Sequence, residues 1–600
     1  MAKYSVHQQP VETLLSWIKS GEIAIPEIQR PFVWSATKVR DLMDSLYKGY
    51  PVGYIITWRN QDIRLKDGSL SNGKKILIDG QQRITALTAA VVGQKVLNKD
   101  YQEVAIRIAY NPFVEEGESH FEVCDAAIEK NPKWINNISH MLTDPTVIFD
   151  VLDEYIKDNP EVDKSVLRQK LTDLQSIKTS QIGIIELDSS LDIDVVTEIF
   201  IRINQKGVVL SNADFVMSKI ASDIQFGGNT LRKMIDYFCH LHNDKSFDKI
   251  IEKNDKTFTQ TSDYQAIRWI TTVNDQLYQP SYVDVLRVAY TYQFNRGKFS
   301  DLVALLSGRD FENRRNVESI AAESYVKLRI GLESFFNQTN YQRFLMLIES
   351  AGFISKKLLN AQNSLNVAYA LFLQLRENKV DDAKIQNLIK RWFVMSLLTG
   401  RYSGSSESAI EKDIKQVAEK GLEAYLIQME QAELDEGFWD YRLVNDLETS
   451  STSNNTYTCY LAAQCKNTEI AFLSDSVTVR SLIEQRGDVH HLFPKKYLEK
   501  DGYKRTEYNQ VANFAYIEQQ PNIKISNDAP HVYMAKVMKN IEEGTQTLTS
   551  LKSLDALKQN MAINAIPESL IDADSTGYKE FLIERRQLMA QKIKAYYQSL

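Results

Sequence analysis

Hydrophobic and polar positions divide the chain into stretches of different period. In the first third, short apolar runs alternate with helical spacing. Val11 to Lys19 reads as a helix stopped by Gly21, and Ile23 to Ile28 as a short strand that Pro26 confines to an edge or an end. Ser35 is placed to cap a helix whose apolar face is Val39, Leu42, Met43, Leu46 and Tyr47, with Gly49 closing it. Tyr54 to Trp58 and Lys75 to Ile78 are β-rich apolar runs. The second leads at once into Asp79-Gly80-Gln81-Gln82-Arg83 and a helix from Ile84 to Val92, a strand–turn–helix unit with a polar turn. Val104 to Ile108 and Ile182 to Leu187 read as further strands, and Val195 to Ile203 is apolar enough to be buried.

From about residue 210 to 440 long helical periods dominate, as in Ile385 to Leu398 and Ile410 to Met429, and Gly and Pro become rare. Thr449 to Thr456 is a polar, low-complexity stretch and the best linker candidate. A closing helix is expected from Tyr578 to Tyr597. The expected fold is α+β and mostly helical: an α/β domain over 1–215, an α-helical middle over 216–448, and a C-terminal domain over 457–600 with its core at 482–535.

Composition narrows the class. Six hundred residues predict about three to five domains. With 43% hydrophobic and 25% charged residues, the chain is an ordinary globular one rather than a disordered one. No apolar run approaches the ~20 residues of a bilayer span, and the start, Met1-Ala2-Lys3-Tyr4-Ser5, has no apolar signal region. The expectation is a cytoplasmic protein with no membrane partner. Four cysteines, with no C-x-x-C, support neither a disulfide framework nor a zinc ribbon. The net charge of −7 excludes nucleic-acid binding through the overall field, so any DNA contact must be local.

One segment reverses that charge. From Glu484 to Arg505 six Lys and Arg face four acids, around Asp488-Val489-His490-His491-Leu492-Phe493-Pro494. Asn513 follows His491 by 22 positions, and Asn522 follows nine later, with Lys524 beside it. Phosphodiester hydrolysis needs a base to take a proton from water and a cation for the leaving oxygen. A neutral imidazole is a suitable base near pH 7. Adjacent strand residues point to opposite faces, so one His can hold a metal while the other holds water. An Asn carbonyl oxygen completes a small ligand set for a hard divalent ion. An adjacent His pair alone is more often structural; the downstream asparagines, the basic surround and Pro494 make this set rarer.

These residues resemble the HNH, or ββα-metal, nuclease motif. The resemblance implies two strands and a helix around one divalent metal, magnesium or manganese. By position, His491 would be the general base, and His490 and Asn522 metal ligands with Asp488 a further candidate. Asn513 would brace the loop and orient His491, and Lys524 is a candidate for transition-state phosphate contact. Many relatives carry Asp where this chain has His490.

The N-terminal turn carries a second candidate site. A strand-to-helix junction offers backbone N–H groups to an anion. Gly80 permits the tight turn, Arg83 can fork onto a phosphate, Gln81 or Gln82 can orient a water, and Asp79 can hold magnesium. The plainer alternative is a polar turn with Asp79 as helix cap. No P-loop or dinucleotide fingerprint is present. Together with Ile25 to Trp34, which contains Arg30, and Ile199 to Gly207, which contains Arg202 and Asn204, the turn resembles the ParB/sulfiredoxin-like domain of GmrSD-type restriction proteins. Thr399 to Ser408 is also reminiscent of that family. The resemblance implies a nucleoside triphosphate as substrate or effector, bound by Asp79, Gly80, Gln81, Gln82 and Arg83 with Arg30, Arg202 and Asn204 nearby.

The function so implied is a phage-defence, modification-dependent (type IV) restriction endonuclease with nucleotide-regulated, metal-dependent cleavage of modified phage DNA. Two alternatives stay open: an HNH nickase that never hydrolyses nucleotide, and a ParB-like DNA-binding regulator with an inactive nuclease fold. A homodimer would ease double-strand cutting, but no dimer surface is legible in the residues.

Overall fold

The computed structural model describes residues 3–24, 34–59, 75–97, 103–115, 117–188, 191, 199, 212–223, 225–273, 277–313, 315, 317–485 and 489–600. The chain forms two compact units, Met1–Ile250 and Ile251–Leu600. It is mostly helical, with a small mixed sheet in the first unit. Among the described residues no helix is long and apolar enough to cross a membrane.

In the first unit β1 (Tyr4–Pro10) runs directly into α1 (Val11–Lys19), followed by β2 (Ile23–Ala24). The remainder of the expected Ile23–Ile28 strand lies outside the described residues. Ser35 caps α2 (Ala36–Tyr47), its hydroxyl accepting from Lys38 N at 3.3 Å. β3 (Tyr54–Arg59), β4 (Lys75–Asp79), α3 (Gln81–Leu87) and β5 (Gln181–Leu187) complete the frame. The sheet order is β1-β5-β3-β4-β2, with β1/β5 and β3/β4 antiparallel and β5/β3 and β4/β2 parallel.

The two-residue period of the strands loads both faces. Ile55, Leu77, Ile182 and Ile184 join the larger core with Val11 and Leu14 of α1, Val39 and Met43 of α2, and Ile84 of α3. Ile56, Trp58 and Leu187 form a second cluster on the other face, with Leu191 buried and Ile199 packed against it. The rest of the apolar 195–203 stretch lies outside the described residues. The expected Val104–Ile108 strand is instead two short ones, Glu103–Val104 and Ile108–Tyr110, interrupted where Arg107 pairs with Glu129 at 2.7 Å.

The second unit is built on helices buried on most sides. In α4 (Tyr282–Phe294) every residue from Asp284 to Tyr292 is buried, and in α6 (Gln362–Glu377) every residue from Ser364 to Leu373, with the buried polar groups meeting one another, as where Asn366 Nδ2 donates to Asp284 Oδ1 at 2.6 Å. Between them lies α5 (Glu318–Phe336). α7 (Asp382–Leu398) covers the predicted Ile385–Leu398 period. The Ile410–Met429 period is two helices, α8 (Ser406–Lys420) and α9 (Leu422–Glu433), because Gly421 sits at φ +80 between them.

Two polar stretches have structural explanations. Arg401 of the Thr399–Ser408 stretch forks onto buried Asp413, at 2.6 and 2.5 Å, and the hydroxyls of Tyr402 and Tyr425 donate to the same carboxylate. The Thr449–Thr456 stretch is tied down rather than loose. Asn454 caps α10 (Asn455–Lys466) by accepting from Thr456 N and Tyr457 N, and Thr449 O accepts from Val511 N at 2.8 Å. Its polarity is that of a cap.

Gly80, between β4 and α3, is at φ +98, and a Cβ there would lie 3.0 Å from Ile55 Cγ1 and 3.3 Å from Ile55 Cα. Only glycine satisfies both the backbone and the neighbouring strand. Gly80→Ala is expected to destabilise the first unit by about 1–3 kcal/mol. Gly49→Ala, at φ +70 with nothing within 4 Å, should cost less. Denaturant midpoints of the two variants measure the difference, and equal losses would mean that the approach to Ile55 contributes nothing.

Candidate active site

β6 (Val489–His491) and β7 (Phe514–Tyr516) pair antiparallel in the second unit, with His490 opposite Ala515 and His491 opposite Phe514. The connection between them carries α11 (Lys495–Lys500) and α12 (Arg505–Tyr508). α13 (Gln519–Ile525) follows β7 and carries Asn522. The order is therefore strand, strand, helix. A three-residue ladder is a weak hairpin, and it is fastened from outside. Leu492 N donates to Asn513 O at 2.8 Å. Tyr533 of α14 (Pro530–Glu542) donates its hydroxyl proton to Leu492 O at 2.8 Å. Arg585 of α15 (Tyr578–Gln598), fully buried, donates to Ala512 O at 2.8 Å and to Ala565 O at 3.2 Å.

His490 and Asn522 come together. His490 is 3% exposed, and its Nδ1 is 2.7 Å from Asn522 Oδ1. Its Nε2 is buried with no hydrogen-bond partner, and its ring meets Tyr533 edge-on. Burial holds the His490 imidazole neutral, pushing its pKa down to about 4 against the opposing pull of Asn522. The ring is thus available as a lone-pair donor at neutral pH. His491 is half-buried, with Nε2 3.1 Å from Asn509 Oδ1 and its ring edge-on to Phe514. Burial lowers its pKa too, with Lys495 adding to the effect and Asn509 opposing it.

Asn513 is sealed from solvent. Its Oδ1 accepts from Phe493 N at 2.8 Å, and its Nδ2 donates to Phe493 O at 3.1 Å and Tyr508 O at 3.0 Å. Both amide donors are spent on backbone. Asn509, not singled out from the sequence, is the side chain that meets His491. The signal was the repeated Asn-x3-Asn spacing of Asn509 and Asn513, which reads as ordinary loop polarity in a single sequence. Lys524 is exposed and donates to Thr547 O at 3.0 Å. Asp488 lies outside the described residues.

The donors fit a hard divalent ion. Ligand atoms sharing an octahedral magnesium at 2.0–2.1 Å lie about 2.9 Å apart, close to the His490–Asn522 separation of 2.7 Å; in the metal-free protein Nδ1 carries the proton of that contact, and metal binding there would move it to Nε2. Among the described residues no group of three or more His, Cys, Asp or Glu is gathered at metal spacing. An imidazole and an amide would therefore leave most of the coordination shell to water and substrate oxygens, as magnesium and manganese sites commonly do.

At the N-terminal turn, Asp79 ends β4 opposite Ile56. Gly80, not Asp79, occupies the N-cap of α3, and no side chain caps that helix. Arg83 Nη1 donates to Tyr54 O at 2.7 Å. Its Nε is buried without a partner, and burial lowers its pKa while Asp79 opposes the shift. One arm of Arg83 therefore holds β3. Gln81 and Gln82 stand half-buried in the first turn of α3. Arg30, Arg202 and Asn204 lie outside the described residues.

Residues 11–221 match the family described as GmrSD restriction endonuclease, N-terminal domain. The chain is 21% identical over 620 residues to the uncharacterized protein MJ0686 of Methanocaldococcus jannaschii, covering 93% of this chain and 90% of the other. The match places a domain similar to the GmrSD restriction endonuclease N-terminal domain at residues 11–221 of this chain.

Proposed function

We propose that this protein is a modification-dependent restriction endonuclease that hydrolyses DNA at the site built by β6, β7 and α13. The observation that carries the proposal is the pairing of His490 with Asn522 at 2.7 Å while His491, the next residue on the strand, is held separately by Asn509. Adjacent strand residues give the two imidazoles different neighbours, and so allow them different tasks. His491, with Nε2 engaged, would take a proton from water at Nδ1. His490 and Asn522 would hold magnesium or manganese, which supplies positive charge to the scissile phosphate and leaving oxygen. Lys496 and Lys500, both exposed on α11, lie in the chain between the two strands and suit phosphate contacts outside the reaction. Lys524 is offered for the same task in the transition state.

The test is a cleavage panel of modified and unmodified phage genomes, with and without magnesium or manganese. His491→Ala is expected to lower the cleavage rate by about 10²–10⁴ while leaving the thermal midpoint near that of the wild type. Chelator should abolish cutting. A wild type that leaves every genome whole, or a His491→Ala variant that cuts as fast, would favour the regulatory, binding-only reading.

The second part of the proposal assigns nucleoside triphosphate hydrolysis to the Asp79–Arg83 turn, with turnover regulating cleavage. The left-handed Gly80 and the absence of a side-chain cap on α3 leave the turn's backbone N–H groups without that competitor. Arg83 would supply its second arm, since the first is on Tyr54 O. Asp79→Ala is expected to reduce phosphate release at least tenfold and to remove the nucleotide dependence of cutting. Phosphate release unchanged by the substitution, or absent from the wild type, would leave the nuclease proposal standing without this one.

A further inference from the structure

The bonds around His491 assign the task of orienting it to a residue other than the expected one. We propose that Asn509 fixes the tautomer and ring position of His491, and that Asn513 acts one step further out by holding the peptide that carries Asn509. The proposal rests on the reading of His491 as the base.

An amide oxygen can only accept, so with Asn509 Oδ1 at 3.1 Å the proton sits on Nε2 of His491. That leaves the lone pair on Nδ1. The bond that one ring nitrogen makes decides which nitrogen carries the proton. Among the described residues two aromatic rings also meet it edge-on, Phe514 at 4.9 Å and Tyr508 at 6.4 Å between centroids. They restrict the ring's position, but they do not distinguish one nitrogen from the other. Asn509 does.

Asn509 is itself well placed. Its backbone N donates to Arg505 O at 3.1 Å, which seats it on the end of α12. The carbonyl of the preceding peptide, Tyr508 O, accepts from Asn513 Nδ2 at 3.0 Å. The Tyr508–Asn509 peptide plane is therefore pinned from inside the fold. The other Asn513 contacts, to Phe493 N and O, pin the chain two residues beyond His491. Both donors of Asn513 are thereby committed to backbone, so its influence on the imidazole runs through Phe493 on one side and through Asn509 on the other. The burial of Asn513 and the partial exposure of Asn509 match this division.

The test compares Asn509→Leu, which keeps size but loses the acceptor, with Asn509→Asp, which keeps an acceptor. Asn509→Leu is expected to lower kcat roughly ten- to a hundredfold, the range found when an orienting partner is lost. KM for DNA and the thermal midpoint should stay close to wild type, and Asn509→Asp should restore most of kcat. Long-range nitrogen–proton NMR of histidine-labelled protein reads the tautomer without reference to activity. Only eight histidines are present, and His491→Gln identifies the signal by its loss. The expected result is an Nε2–H tautomer in the wild type and a mixture in Asn509→Leu.

An unchanged tautomer and kcat in Asn509→Leu, while His491→Ala abolishes cutting, would overturn this proposal and leave the base assignment intact. Loss of stability and KM together with kcat, without rescue by Asp, would also overturn it, by making Asn509 merely structural. Full cutting by His491→Ala would instead remove the base assignment itself.

Discussion

A side-chain amide sealed from water must find partners for its polar atoms within the protein, and at Asn513 this requirement organises the second unit's candidate site. Two segments 20 residues apart in sequence, around Phe493 and Asn513, are joined by that one side chain. The β6/β7 ladder is too short to hold them unaided. Tyr533, Arg585 and Asn513 all bind backbone carbonyls in the connection that flanks it, those of Leu492, Ala512 and Tyr508, and they come from α14, from α15 and from the connection itself. The hairpin is thus positioned by side chains bonding to backbone more than by its own strand pairing. Buried amides and guanidinium groups are costly without partners, so the arrangement is specific: a shifted register would strand several of them at once.

That fixed hairpin separates the two imidazoles. His490 lies deeper and meets Asn522 on the following helix, whereas His491 meets Asn509 on the connection before β7. Burial is the first cause of the lowered pKa in each ring. Both are neutral near pH 7, the form required of a metal ligand and of a base alike. The amides do different things to them. Each amide oxygen accepts from the ring nitrogen that faces it, Nδ1 of His490 for Asn522 and Nε2 of His491 for Asn509, so the two rings are held in opposite tautomers.

Much of the frame was legible because local signals agreed with one another. The Ser35 cap, the α1 period, and the β4–Gly80–α3 junction each combine a spacing with a terminator, and the structure follows them. Single signals did less well. Periodicity alone ran across Gly421, where the positive φ breaks α8 from α9. Low complexity made Thr449–Thr456 resemble a linker, because capping residues and linker residues are the same small polar types. Only the motif spacing hinted at the His490–Asn522 contact. Asn509 had no such hint: an asparagine in a loop can cap, turn, solvate or bond a ring, and only coordinates choose among these. Arg83 illustrates the same point from the other side, since a helix-start arginine suited to phosphate is also suited to a neighbouring carbonyl, and one of its arms is so used.

The chemistry of the donors bears on how the proposed nuclease would be controlled. His490 and Asn522 are both uncharged as ligands, so a divalent ion held by this pair keeps its full charge. The segment around them is rich in lysine, with Lys495, Lys496 and Lys500 all exposed on α11. Such surroundings oppose a bare cation and favour an anion. An arriving phosphodiester reverses the balance by supplying negative charge and additional oxygen ligands to the same ion. Metal and DNA would then strengthen each other's binding by the reciprocity of linked equilibria, and the site would be least filled when no DNA is present. In the proposed nuclease, that mutual dependence would keep the cutting machinery incomplete until a phosphate backbone is already in place.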